Sequence, residues 1–227
     1  MRFVVIEGLD GSGKSTQIKL LRNYLETNGI KYQYLHFPRT DDSIYGELIA
    51  RFLRGEFGDL DQVDPYLVAL IYAGDRNDAK GMINSWIQDG YFVLLDRYVN
   101  SNIAFQCAKI SRADEKAKLR DWILKLEFDY HKLPVPDINI FLDVPFDFTE
   151  KQLSGERQGG DRDYLNGAND IHEKSLDFQK EVRNIYLSLK DTPNYRVLDC
   201  FDEHRNMLEP AQIFTKIVNT LFENEKL

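Results

Sequence analysis

Apolar residues along this chain follow two alternating rhythms. Five short, nearly continuous runs, Phe3–Ile6, Tyr32–Phe37, Phe92–Leu95, Ile138–Leu142 and Arg196–Leu198, have the length and composition of strands buried on both faces. Between them apolar positions recur three and four apart. Ile18, Leu21 and Leu25 form one stripe; Ile44, Leu48, Ile49 and Phe52 form a second; Phe178, Val182, Ile185 and Leu189 form a third. Phe214, Ile217, Val218 and Leu221 close the chain with a fourth. Such spacing predicts amphipathic helices. Strands alternating with helices predict an α/β fold: a five-stranded parallel sheet flanked by helices on both faces. Ligands of such sheets sit beyond the carboxyl ends of the strands.

The polar residues that end the strands carry the chemistry. Phe3-Val4-Val5-Ile6-Glu7 runs into Gly8-Leu9-Asp10-Gly11-Ser12-Gly13-Lys14-Ser15-Thr16, and the helix predicted over Ser15–Glu26 leaves it. The pattern G-x4-G-K-[ST] between a strand and a helix is a phosphate-binding loop. Its glycines let backbone N–H groups turn inward around an anion, and the following helix aims its positive end at the same point. The loop predicts a nucleoside triphosphate held by Gly8, Gly11, Ser12, Gly13, Lys14, Ser15 and Thr16, with the Ser15 hydroxyl as a Mg²⁺ ligand.

The second and third strands end in Phe37-Pro38-Arg39 and Asp96-Arg97-Tyr98. Two guanidinium groups at neighbouring strand ends, facing a phosphate loop, predict an oxyanion on the acceptor side. A phosphate acceptor is already largely ionised near neutral pH, because its second pKa is about 6, so it needs no general base. The histidines His36, His131, His172 and His204 form no motif and take no chemical role; His36, near the site, is expected to pack or to be solvated. The segment Ser154–Asn169 sets Gly155, Gly159, Gly160 and Gly167 among Arg157, Asp161, Arg162 and Asp163. It reads as a mobile lid that closes over phosphates.

Composition narrows the picture. With 227 residues, the chain is expected to form a single domain over 1–227. A net charge of −8 excludes a nucleic-acid partner, since no basic stripe could neutralise a phosphate backbone. Cys107 and Cys200 lack metal or CxxC spacing and read as free thiols of a reducing compartment. No apolar run reaches membrane-spanning length, and a strand that starts near residue 2 leaves no room for a signal peptide. A cytoplasmic location without a membrane partner is therefore expected. A GTPase is disfavoured. The base-reading N-K-x-D motif is absent, and the D-x-x-G match at Asp78–Gly81 falls in a helical stretch.

Taken together, these motifs resemble the thymidylate kinase family of P-loop NTPases over nearly the whole chain. The likeness runs through Ile6–Thr16, Phe37-Pro38-Arg39, Tyr72-Ala73-Gly74-Asp75-Arg76, Asp96-Arg97-Tyr98 with Ser101, Asn102, Ala104 and Phe105, Leu133-Pro134-Val135-Pro136-Asp137, Asp163-Tyr164 and Val197-Leu198-Asp199. The resemblance implies transfer of a phosphoryl group from ATP with Mg²⁺ to dTMP, making dTDP, by a homodimer. It implies that Asp10 accepts from the deoxyribose 3′-hydroxyl, and that Arg39 and Arg97 hold the dTMP phosphate. Phe37 or Tyr72 would cover the thymine, with Tyr72 stacking, and Arg76 would donate to O4. Ser101, Asn102 and Phe105 would line the base pocket, Tyr164 would approach the sugar, and Asp96 would act on Mg²⁺ directly or through water. Some members carry an arginine inside the phosphate loop, where this chain has Gly11; others place it in the lid. Lys14, Arg97 and Arg157 are thus the expected catalytic residues, Arg157 also facing ATP, with Arg162 as the other lid candidate. The donor's adenine has no clear arginine partner, since Lys151 and Gln152 stand near that place. Two rivals remain: a deoxynucleoside kinase, which would want a carboxylate where Arg39 stands, and a nucleotide-gated interaction module.

Overall fold

The computed structural model describes residues 2–154, 165, 170–172 and 175–222, with no side-chain detail at 153 and 154. The five apolar runs become β1 (Phe3–Gly8), β2 (Tyr32–His36), β3 (Phe92–Asp96), β4 (Ile138–Asp143) and β5 (Tyr195–Asp199). They form an all-parallel sheet in the order β2-β3-β1-β4-β5. The most continuous runs take the central places: β1, β3 and all of β4 after Ile138 are buried. Successive residues point to opposite faces, so each central strand feeds two cores. Val4, Ile6, Leu94, Ile140 and Leu142 pack under α1 (Lys14–Thr27) and α8 (Pro210–Phe222). Phe3, Val5, Val93 and Leu95 face the other way, against α3 (Pro65–Gln88), α4 (Val99–Cys107) and α5 (Ala113–Leu124).

Register sets the functional edge. Ile6 pairs with Asp96, and His36 pairs with Asp96 from the other side, so β1, β3 and β2 end at one level. The phosphate loop after β1, Arg97 after β3 and Arg39 after β2 therefore leave the sheet side by side. Strand addition reverses around β1, with β3 on one side and β4 on the other, the place where such sheets open a crevice.

The helical stripes hold with one correction. Ile18, Leu21 and Leu25 are buried on α1, and Phe178, Val182 and Leu189 are buried along and just after α7 (Leu176–Ser188). On α2 (Ile44–Leu53) the buried face is Gly46, Ile49, Ala50, Phe52 and Leu53, while Ile44 is 77% exposed. Ser43 caps the helix by accepting from the Gly46 N–H, so Ile44 sits in the first turn, on the exposed side of the helix. Beyond α5 the chain continues as a π-helical turn, Lys125–Tyr130, in which the His131 N–H donates to the Leu126 carbonyl five residues back. The remaining helix, α6, spans Phe146–Ser154. Cys107 and Cys200 are free and buried, and burial raises their thiols to about 11 and about 12. No helix among the described residues is long and apolar enough to cross a membrane.

One close approach links α2 to the functional edge. A Cβ at Gly46 would stand 2.0 Å from the Arg39 carbonyl oxygen, a backbone atom that cannot swing aside. Gly46→Ala is expected to destabilise the fold by about 1–3 kcal/mol, the usual cost of forcing an atom into a packed site. Denaturant unfolding checks this; an unchanged midpoint would show that the 39–40 segment yields freely.

Candidate active site

A cavity of about 390 Å³ opens along this edge, large enough for a nucleotide-sized ligand. The phosphate loop forms one end. Gly13 precedes α1 as its N-cap, and no side chain caps the first N–H groups, which leaves them for an anion. The Ser12 hydroxyl is buried without a partner beside them. Lys14 lies in the cleft, its ammonium 3.4 Å from the Leu9 carbonyl. Burial lowers its pKa, as does the nearby Arg97, while Asp96, Asp10 and Glu7 pull the other way. Gly11 has φ 73°, and a Cβ there would stand 2.9 Å from the Gln152 Cβ of α6. A side chain at this point of the loop is thus opposed by backbone conformation and by α6 together.

Arg97 occupies the middle of the cleft. Its backbone takes φ 67°, uncommon for a residue with a side chain, and its N–H donates to the Ile6 carbonyl. The guanidinium donates from Nη2 to Asp10 at 2.7 Å and from Nη1 to Ser101 and Tyr186 at 3.3 and 3.4 Å, and lies over the Phe105 ring. Beneath it Glu7 is fully buried and accepts from the Tyr98 N–H, the Ser101 hydroxyl and the Tyr186 hydroxyl. Burial raises the Glu7 pKa, and these donors with Arg97 only partly offset it. Burial works against the Arg97 charge, but Asp10, Tyr186, Asp96 and Glu7 outweigh it, and its pKa is raised.

Arg39 is held on the opposite wall. Its Nε donates to Asp75 at 2.9 Å and its Nη2 to Asp78 at 2.7 Å, while its own N–H donates to Asp75. Asp96 stands between Arg39 and the loop. One of its oxygens meets His36 Nδ1 at 3.2 Å; the other, Oδ1, is buried without a partner. Burial would raise its pKa, but Lys14, His36 and Arg97 overcome that, and the carboxyl titrates below its ordinary range. A carboxylate with an open lone pair, lining the same cleft as the exposed Ser15, suits a divalent cation that keeps water and phosphate ligands. No larger cluster of metal-ligating side chains stands among the described residues.

The far end is aromatic and polar. Phe37, Tyr72 and Phe105 line it, with Phe37 packed on Tyr98. Arg76 is almost wholly buried there and forms a two-pronged pair with Glu127, which also receives Asn102 Nδ2. His172 stacks among Phe52, Phe105 and Phe178; burial lowers its pKa to about 3, so it stays neutral.

The structure thus brings together Asp10, Lys14, Ser15, Phe37, Arg39, Tyr72, Arg76, Asp96, Arg97, Ser101, Asn102 and Phe105 in one cleft. His36 lines it as well, against Asp96 rather than apart. Arg157, Arg162 and Tyr164 lie outside the described residues, as does most of the expected lid. Sequence reasoning missed Glu7, Asp75, Asp78, Glu127 and Tyr186. Glu7 and Asp75 were visible inside quoted motifs; Asp78, Glu127 and Tyr186 carry none that bears on the site and act through partners 25 to 179 residues away.

The chain is similar to known proteins over most of its length. The family model for thymidylate kinase matches residues 6–209. The thymidylate kinase of Mycobacterium tuberculosis is 33% identical over 187 residues, 82% of this chain and 84% of that protein. A probable thymidylate kinase of Pyrobaculum aerophilum is 34% identical over 203 residues, 88% of each chain. A solved thymidylate kinase from Candida albicans is similar over 99% of this chain and 92% of its own, with TM-score 0.71 and 25% identity.

Behind the aromatic wall, Lys109 lies over the Phe52 ring at 4.5 Å with no hydrogen-bond partner among the described residues. Burial lowers its pKa to about 7. Below that pH folded and unfolded chains are both protonated, and the folded state bears the full desolvation cost. As the pH rises from about 7 to the ordinary lysine value near 10.4, the folded state sheds its proton first and the cost fades. Lys109→Met is therefore expected to raise the melting temperature most below pH 7, with the gain shrinking towards pH 10. A gain that does not vary with pH would refute the assignment.

Proposed function

The chain belongs to the thymidylate kinase family, and from that premise we propose which of its side chains hold dTMP and which act on the phosphoryl group in flight. It phosphorylates dTMP to dTDP with ATP as the donor. The observation that carries the assignment of parts is the pair of guanidinium groups at adjacent strand ends, facing the phosphate loop across one cavity.

ATP phosphates lie on the N–H groups of the loop from Gly8 to Thr16, with Lys14 against the β- and γ-phosphates. Ser15 and Asp96 would hold Mg²⁺, which would supply charge neutralisation for the donor phosphates. The dTMP phosphate takes Arg39 and Arg97. As Arg97 turns to the phosphate it releases Asp10, whose carboxylate is then an acceptor for the deoxyribose 3′-hydroxyl. The acceptor oxygen is already ionised, so positioning and charge neutralisation carry the reaction and no side chain need remove a proton. Tyr72, Phe37 and Phe105 enclose the thymine, Arg76 donates to O4, and Ser101 and Asn102 complete the pocket. Arg157, from a lid over about 154–169 with Tyr164 near the sugar, supplies the cation that stabilises the transferring group, with Arg162 as its alternative. A single domain over 1–227, a homodimer and a cytoplasmic location complete the proposal, with no nucleic-acid or membrane partner.

A coupled assay of ADP release with dTMP, dUMP, dCMP, dGMP and dAMP tests the acceptor. The expected order puts dTMP first, and a purine monophosphate turned over faster overturns it. Arg97→Ala is expected to lower kcat/KM for dTMP by about a hundredfold, the scale of truncating one member of a desolvated charge pair. Arg157→Ala is expected to lower kcat with the dTMP KM within about twofold, the sign of an interaction made in the transition state. An unchanged kcat removes Arg157 from the mechanism.

A further inference from the structure

Glu127 sits at the base end of the cleft without any role in the scheme above. The π-helical turn Lys125–Tyr130 carries it inward to full burial, where an isolated carboxylate would be costly. Both of its oxygens are taken. Oε2 accepts from Arg76 Nε at 2.6 Å, and Oε1 accepts from Arg76 Nη2 at 2.5 Å and from Asn102 Nδ2 at 2.9 Å. Asn102 Nδ2 also donates to the Ala69 carbonyl at 3.0 Å.

These bonds decide what the two neighbours can offer a ligand. Nε and one N–H of Nη2 of Arg76 face Glu127, so Nη1 and the second N–H of Nη2 are the donors left on a residue that lines the cleft. The Asn102 amide meets two acceptors on one side, which fixes its NH₂ there; its Oδ1 is buried without a partner. The cleft therefore presents a donor beside an acceptor. We propose that Glu127 is a positioning residue that sets the polarity with which the cleft reads the edge of a pyrimidine, by committing Arg76 Nε, one N–H of Arg76 Nη2 and the Asn102 NH₂ to itself. That polarity complements the O4 acceptor and N3–H donor of thymine or uracil. It opposes the amino donor and ring-nitrogen acceptor of cytosine. The inference rests on the reading of this cleft as the dTMP site.

Glutamine at position 127 keeps the shape and breaks the logic. Its NH₂ must confront either Arg76 Nε, donor against donor, or the position shared by Arg76 Nη2 and Asn102 Nδ2. In the second case Asn102 is driven to turn over and present its own NH₂ to the cleft. Steady-state kinetics of wild type and Glu127→Gln with dTMP, dUMP and dCMP test this. In the variant the ratio of kcat/KM for dTMP over dCMP is expected to fall at least about tenfold, the scale on which a mispaired buried polar group discriminates. The ratio for dTMP over dUMP, which reads the 5-methyl group, and the KM for ATP are expected to stay within about twofold. A dTMP-over-dCMP ratio within about twofold of wild type overturns the proposal. An equal loss with every substrate overturns it too, since that is what a merely structural residue would give. Glu127→Asp keeps the carboxylate one methylene further back and carries the test if the glutamine variant fails to fold. It is expected to raise the dTMP KM several-fold with the preference over dCMP kept, and an unchanged KM overturns the role. If wild type itself fails to prefer dTMP to dCMP, the base-site reading falls first, independently of Glu127.

Discussion

Four cations line one cleft among the described residues, and the three arginines each have a carboxylate held against the guanidinium. Arg97 has Asp10 above and Glu7 below, Arg39 has Asp75 and Asp78, Arg76 has Glu127, and Lys14 feels Asp96. Taking an isolated cation out of water costs several kcal/mol, a large share of a protein's net stability, so these pairs matter to the site existing at all. They also explain how a protein with a net charge of −8 binds two highly charged anions. The positive groups are few, desolvated and aimed.

The backbone bends to make the pairs. Arg97 lies in the left-handed region, at a cost of about 1–3 kcal/mol that the surrounding bonds must cover. Its N–H is tied to Ile6 and its guanidinium to three side chains, so the conformation is over-determined. At the base end a π-helical turn brings Glu127 to Arg76, the sort of irregularity that recurs at functional sites. The two deviations fall at opposite ends of the acceptor half. At the Arg97 end the guanidinium is tied to Asp10 at 2.7 Å and more loosely to Ser101 and Tyr186 at 3.3 and 3.4 Å. At the Arg76 end the Glu127 carboxylate is bound by both Arg76 and Asn102, which favours a fixed pattern of donor and acceptor.

Much of this was legible in the linear chain, for definable reasons. Strands buried on both faces appear as unbroken apolar runs, and the observed strands differ from the predicted ones by at most two residues at either end. Loop chemistry is local, so Gly8 to Thr16 announced a phosphate before any fold was known. Arg39 and Arg97 could be placed at the ligand edge because each follows a strand directly. Ile44 was misjudged because periodicity marks a stripe but not which of its residues, in the first turn of a helix, meets a neighbour. Tyr186 hid beside an apolar stripe that was read as core, and it is indeed buried there, stacked on Phe141, yet its hydroxyl serves Glu7.

Sequence alone determined the fold class, the triphosphate cradle and the acceptor's charge, because each depends on residues adjacent in the chain. Only the tertiary structure decided which carboxylate answers which cation. Arg76 meets Glu127 across 51 residues, Arg97 meets Asp10 across 87, and Tyr186 meets Glu7 across 179. Such partners share no spacing and no motif. They are chosen by strand register, helix packing and a single π-helical turn, and by the electrostatic cost of leaving any of them alone.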